Sequence, residues 1–405
     1  MAYDVAEIRA AYPALADGFA YLDGAAGTQV PTPVIDAITE AYREGIGNSG
    51  GVFPASARSD AFVAGARQAV ADLVGGQAEG VVLGPNMTTL TFRFAWTLGL
   101  GWGPGDEIVL SRLDHDANVR PWVHAAERSG ATVRWAEVDT STGQLPVEQY
   151  DGLLNERTRL VAVTAASNIL GIKPDVAAIA AKAHAVGALV YVDGVHSTAH
   201  GPTTMSALGA DFYATSSYKW SGPHLGAVVA DPGLLGTLRP HKLRPSSDEV
   251  PERFETGTPP FADLAGLVAA VEHLASLDPV AAGAGGGGRR ARLLASLGAA
   301  EAHELKLYDV LVGGLAQLPG VRTYGESAQR TATAYFTVAG TTPQQVAEHL
   351  ASRRINVWSG HCYAWELTGA LGIRDSGGAV RAGLVHYNDQ DDVERLLTAV
   401  AELAG

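Results

Sequence analysis

A single cysteine, Cys362, is the only thiol in 405 residues. One thiol excludes an intramolecular disulfide and a zinc site built on several thiolates, and it is what a chain working in a reducing cytoplasm carries. No apolar run reaches the length of about 18 residues that a membrane-spanning helix needs. The N-terminus, MAYDVAEIRAAYPAL, has charges where an export signal needs an apolar stretch, so a cytoplasmic protein is expected. Positive charge is also scarce: 29 Lys and Arg against 43 Asp and Glu give a net charge of -14, without a basic run beyond isolated pairs. A nucleic-acid phosphate backbone needs a basic face, so nucleic acid is not an expected partner, nor is a membrane or a metal ion.

What is present is 47% hydrophobic residues, 18% charged residues and 48 glycines, the composition of a tightly turned globular enzyme. The length suggests two unequal units, a large one over residues 16–260 and a smaller C-terminal one over 261–405 that includes residues 1–15. From about residue 34 to 230, helix-period segments alternate with short apolar runs, the mark of an α/β fold. The expected strands are 107–111, 132–138, 159–165, 188–194, 212–216 and 226–230, mostly apolar throughout as parallel strands covered on both faces should be. Helical patterns cover 60–74 and 175–187. Past residue 260 come longer helices, β elements near 331–338 and 379–387, and a closing helix over 391–403. The glycine-rich stretch 281–288 reads as a flexible surface loop before a helix starting near Arg289.

The chemistry concentrates in YVDGVHSTAH and ATSSYKWSGPHLG. Asp193 ends an apolar strand, and Lys219 follows the next strand 26 residues later, so both reach the carboxyl edge of one parallel sheet, where open α/β sheets bind ligands. Taken singly, Asp193 reads as a helix cap and Lys219 as a solvated loop lysine. Together they supply what pyridoxal 5'-phosphate (PLP) requires: an amine to hold the cofactor as a Schiff base and a carboxylate to keep its pyridine nitrogen protonated. Lys219 also sits in Ser216-Ser217-Tyr218-Lys219-Trp220-Ser221-Gly222-Pro223, whose small residues let backbone and hydroxyls approach a phosphate. The first strand is not followed by G-x-G-x-x-G, which sets aside a dinucleotide dehydrogenase.

With these residues the chain resembles the class V, fold-type I PLP enzymes, and among them the cysteine desulfurase-like proteins, from Tyr21 to the C-terminal helix. The resemblance implies a large PLP-binding domain with a mostly parallel sheet, a smaller C-terminal α/β domain and a homodimer acting on an amino acid. Tyr21-Leu22-Asp23-Gly24-Ala25-Ala26-Gly27 resembles the family's substrate-side loop, which brings in Ala25 and Ala26. Gly84-Pro85-Asn86-Met87-Thr88-Thr89 resembles its phosphate turn, with Met87 and Thr88 at a helix start. By the same resemblance His115 stacks on the pyridine ring and moves protons. Asn168 donates to the phenolic oxygen, with His196 near it, and Ser216 and Tyr218 contact the phosphate. Thr258, in Gly257-Thr258-Pro259, reaches the neighbouring subunit's phosphate, and Arg381 grips the substrate carboxylate.

The pattern breaks at the thiol. Aligned on Ser359-Gly360-His361, with His361 on the substrate side, the desulfurase cysteine falls at Tyr363, one residue after Cys362, and Trp358 stands where an arginine is usual. Cys362 therefore reads either as a persulfide nucleophile, which implies a sulfur acceptor protein, or as an ordinary small residue near the pocket. The leading expectation is cysteine or selenocysteine desulfurase or lyase chemistry. Beside it stand a class V aminotransferase or epimerase of specialised metabolism and, in another class, a non-catalytic relative acting as a binding partner.

Overall fold

The computed structural model describes residues 3–278 and 287–404. The part of the expected glycine-rich loop at 281–286 lies outside the described residues; the helix after it runs Arg289–Leu315. A short strand, β1 (Ala20–Tyr21), precedes a seven-stranded sheet made of β2 (Val81–Gly84), β3 (Glu107–Ser111), β4 (Thr132–Ala136), β5 (Thr158–Thr164), β6 (Leu189–Asp193), β7 (Phe212–Ser216) and β8 (Gly226–Ala230). Its spatial order is β2-β8-β7-β6-β5-β3-β4. Strands β3 to β7 pair in parallel, whereas β8 runs antiparallel to both β2 and β7.

The expected bounds of β3, β7 and β8 coincide with the observed ones, and the other expected strands lie within two residues of theirs. Two features were not legible. Strand β2 is only four residues long, too short for a periodic signal. Strand β8 has the continuous apolar run of a parallel strand because both its faces are buried, but the chain turns straight back from β7 without a crossover helix.

Side chains alternate across the sheet and feed two cores. On one face Val109, Val161, Val190 and Val192 pack against Ala66 of helix Pro54–Val74 and Ile179 of helix Val176–Ala185. On the other, Ile108, Leu160, Tyr191 and Phe212 pack against Phe94 of helix Met87–Gly99 and Trp122 of helix Arg120–Ser129. Burial on both faces explains why these strands are apolar throughout.

The C-terminal part adds β9 (Val321–Thr323), β10 (Thr333–Val338), β11 (Ile355–Asn356), β12 (Trp358–Gly360) and β13 (Ala379–Gly383). Four of them form an antiparallel sheet in the order β12-β13-β10-β9, while β11 pairs with β1. Leu311, Leu350 and Leu396, from helices Arg289–Leu315, Pro343–Ser352 and Gln390–Ala401, build a third core there. The N-terminal segment docks onto this part: the Tyr3 hydroxyl donates to the His386 carbonyl at 2.5 Å, and Arg9 pairs with Asp389 and Asp392. Helix Phe261–Leu274, just past residue 260, packs on helices Thr32–Glu44 and Pro54–Val74, so the large core continues through it. Among the described residues, no helix is long and apolar enough to cross a membrane.

Candidate active site

The carboxyl ends of β5, β6 and β7 open on one edge of the sheet, and a cavity lies there between them and the start of helix Met87–Gly99. It is lined by Met87, Thr88, His115, Asn168, Asp193 and His196, together with Ser216, Tyr218 and Lys219. Of the residues expected around the cofactor, Thr258 alone lies elsewhere, exposed in the loop after Phe254.

Asp193 ends β6 and is buried, with Oδ1 accepting the Val195 N–H at 2.9 Å. Burial pushes its carboxyl up to about 6, partly offset by the Lys219 amine. Lys219 closes the short turn Ser217–Lys219 after β7, and its Nζ donates to the Ala25 carbonyl at 2.6 Å. Removal from bulk water, then the nearby Arg381 guanidinium, pull this amine down to about 7, with Asp193 opposing. His115 accepts the Ala117 N–H on Nδ1 at 3.0 Å, which assigns the ring proton to Nε2. Burial, with Lys219 and Arg381 near, takes its imidazole down to about 3, so the ring is neutral.

Across the cavity, Asn86 caps helix Met87–Gly99 by accepting the Thr89 N–H at 2.8 Å, and Ser216 Oγ accepts the Met87 N–H at 2.9 Å. The helix start is pressed onto β8: a Cβ on Gly226 would lie 2.3 Å from the Asn86 carbonyl carbon and 2.4 Å from the Met87 nitrogen. Helix N-termini favour anions, and this one carries the Thr88 hydroxyl beside its amides.

The substrate side is built from the C-terminal part. Arg381 of β13 is buried, and Nη1 donates to the Asn168 carbonyl at 3.0 Å; no carboxylate pairs with it among the described residues. Ala25 packs against Gly383, and the Ala26 N–H donates to the Asp23 carbonyl at 2.7 Å. Loop 360–364 folds over the cavity in two consecutive left-handed residues, Cys362 (φ 45°) and Tyr363 (φ 59°). The Tyr363 carbonyl accepts the Asp116 N–H, and its ring stacks on His115 with centroids 5.4 Å apart. His361 Nδ1 accepts the Tyr363 N–H at 3.0 Å, and Cys362 Sγ lies 3.9 Å from the Gly360 carbonyl.

Two placements differ from the expected contacts. The Asn168 amide nitrogen, expected at a phenolic oxygen, donates to the Cys362 carbonyl at 2.8 Å because loop 360–364 folds back onto it, which leaves its buried Oδ1 without a partner. His196 turns Nε2 to the hydroxyls of Thr331 and Thr333, each at 3.0 Å. Sequence reasoning missed Ala117, Thr164, Ala166 and Val195, which also line the cavity. None but Thr164 has a side chain with chemistry to notice. It missed the Tyr363 stack as well, since no spacing rule links positions 115 and 363.

The chain matches the family model for class V aminotransferases over residues 20–282 and 278–396. The chain belongs to this family. It is 33% identical to a probable cysteine desulfurase of Pseudomonas putida, covering 97% of this chain and 96% of that one. It is 32% identical to the aminotransferase-like protein FGM3 of Gibberella zeae, covering 98% of each. The crystal structure of the cysteine desulfurase CsdA from Escherichia coli superposes with a TM-score of 0.86 at 29% identity, covering 100% of this chain and 99% of that one. This class V chain is thus a PLP-dependent enzyme of the cysteine desulfurase-like type. Its residues fit that cofactor on two counts: a helix-start cradle that a Cβ at Gly226 would disrupt, and an amine and carboxylate on one cavity.

Proposed function

We propose that this enzyme cleaves the carbon–sulfur bond of L-cysteine or a close analogue. The observation that carries the reading is the joint placement of the Lys219 amine and the Asp193 carboxylate on one cavity, with the Arg381 guanidinium, which makes no salt bridge among the described residues, beside them. PLP, when bound, supplies an electron sink for the pair left when the substrate loses its Cα proton. Lys219 holds the cofactor and, once released, takes that proton; an amine lowered to about 7 is a competent base near neutral pH. Asp193 keeps the pyridine nitrogen protonated, and neutral His115 covers the ring. Thr88, Ser216, Tyr218 and the Met87 N–H bind the phosphate. Asn168 and His196 flank the phenolic oxygen, while Ala25, Ala26 and His361 bound the substrate opposite Arg381.

Two fates of sulfur balance. With Cys362 as nucleophile, L-cysteine and the thiol give L-alanine and a Cys362 persulfide: the C–S bond breaks and an S–S bond forms, and a sulfur acceptor protein then takes the terminal sulfur. Without it, L-cysteine and water give pyruvate, ammonia and hydrogen sulfide. A second reading, transamination or epimerisation, draws on Tyr363 standing at the desulfurase cysteine position with its loop pinned by Asn168 and Asp116. Incubating the enzyme with L-cysteine and a thiol reductant, which releases persulfide sulfur as sulfide, and assaying alanine, pyruvate and sulfide decides. Alanine and sulfide that vanish in Cys362→Ala assign the persulfide route, and pyruvate and sulfide that survive it assign the lyase. No sulfide in either protein sinks both sulfur routes and leaves the second reading.

A homodimer belongs to this proposal. Phe92 and Trp96 lie one turn apart and exposed on helix Met87–Gly99, and Leu243 joins Trp96 along the same surface groove. A second copy seated there brings its own loop, with exposed Thr258, toward this phosphate cradle. The single thiol fits work in the cytoplasm.

A further inference from the structure

Behind the Lys219 turn lies a buried polar cluster that none of the steps above uses. The Tyr12 hydroxyl sits 2.8 Å from Ser221 Oγ, 2.9 Å from His273 Nε2 and 2.6 Å from His386 Nε2. These four side chains come from the N-terminal segment, the loop after Lys219, helix Phe261–Leu274 and the segment after β13. A phenol has one proton to donate and two lone pairs, so three partners saturate it. The buried His386 Nδ1 has no partner; a bare lone pair there costs less than a bare N–H, which puts the ring proton on Nε2, donating to Tyr12. Ser221 can then donate to Tyr12, and Tyr12 to His273. This arrangement satisfies all three partners with both rings neutral, the state that burial, which lowers both imidazoles, favours.

Ser221 is where this cluster touches the active site. Its backbone is left-handed, φ 67°, a conformation unfavourable for a serine and in need of outside support. Its N–H donates to Thr28 Oγ1 at 2.6 Å, and the Thr28 N–H donates to the Tyr218 carbonyl at 2.9 Å. The residues on either side of Lys219 are thus held by the N-terminal segment, and the far side is anchored through Ser221 Oγ on Tyr12.

We propose that Tyr12 is a positioning residue for Lys219: it clamps the Ser221 turn and so fixes where the lysine amine stands in the cavity. This rests on the reading of Lys219 as the cofactor-bearing residue. A displacement of about 1 Å at a reacting group can cost large factors in rate, so the clamp acts on capture of the cofactor and on how rigidly it is held.

The test compares wild type with Tyr12→Phe and Ser221→Gly, each loaded with PLP. It reads the rate at which borohydride traps the lysine adduct, the visible circular dichroism of the bound cofactor and the melting temperature. Both variants are expected to slow trapping by about ten-fold and to weaken the dichroic band. Ser221→Gly is expected to melt close to wild type, because glycine accepts positive φ without strain. That separates the clamp from a stability effect. Trapping and dichroism unchanged in both variants, whatever their melting temperatures, overturn the clamp. Peptide mapping of the trapped wild type separates the two ideas: an adduct on a lysine other than Lys219 overturns the Lys219 reading and the clamp with it, whereas an adduct on Lys219 with unaltered variants overturns the clamp alone.

Discussion

At the scale of single residues, the site is set by how far each ionisable group is held from its usual pKa. Between about 7 and the ordinary lysine range, the unfolded chain holds the Lys219 proton and the folded one does not, so cofactor-free protein gains stability as pH rises through that window. Asp193 acts oppositely and lower: its carboxyl is raised from 3.8 to about 6, so the folded state binds the extra proton, and that stabilisation is present at low pH and lost as pH rises through about 6. Lys219→Met removes the first effect and, by withdrawing the amine's charge, pushes the Asp193 carboxyl further up. Melting temperatures of the cofactor-free variant are therefore expected to gain on wild type most near pH 7 and least near pH 10; parallel curves would contradict the buried amine. His115, held near 3, should give imidazole proton shifts that stay flat from pH 5 to 8 in the free protein, and a midpoint in that range would contradict its neutral role.

At the scale of elements, the phosphate cradle depends on contact between a helix start and a strand start. Gly226 pairs with both Gly84 and Ser216 in the sheet and leaves no room for a Cβ against Asn86 and Met87. Gly226→Ala must push the helix N-terminus away, and cofactor affinity by equilibrium titration is expected to fall at least about ten-fold, the usual scale of overpacking. An unchanged affinity would mean that the amides at Met87 and Thr88 do not bind the phosphate. This contact was invisible in the sequence, because Gly226 lies 140 positions from Asn86 and reads only as the start of an apolar strand. The phosphate turn itself was read from the resemblance of Gly84-Pro85-Asn86-Met87-Thr88-Thr89 to the family's, and Asn86 caps the helix that follows it. Loop 360–364 was legible in composition only. Its two left-handed residues and its hold on Asn168 and Asp116 come from partners far away in the chain.

For the whole molecule, the proposed homodimer makes one site depend on two copies. The exposed apolar surface at Phe92, Trp96 and Leu243 lies along the helix whose first turn forms the cradle, so loss of the dimer should reach the cofactor. Trp96→Asp combined with Leu243→Asp is expected to yield monomer in sedimentation experiments and to release PLP on dilution. A variant that stays dimeric would move the interface elsewhere, and a monomer with undiminished PLP affinity would argue against a shared site. The Tyr12 cluster belongs to this scale too, since it joins the N-terminal segment, helix Phe261–Leu274, the segment after β13 and the Lys219 turn.

The sequence by itself determined the parallel strands from β3 to β7 and the placing of Asp193 and Lys219 at their carboxyl ends. These follow from short-range signals: runs of apolar residues, a turn after each, and reactive types at the turn. Tertiary structure alone decided that Asn168 donates to Cys362, that Tyr363 stacks on His115, that β8 returns antiparallel, and that Tyr12 stands behind Lys219. Three of those four join residues more than 190 positions apart, and the fourth depends on whether the chain turns back or crosses over. No local pattern specifies such choices; they are made when buried polar groups must find partners inside a filled core.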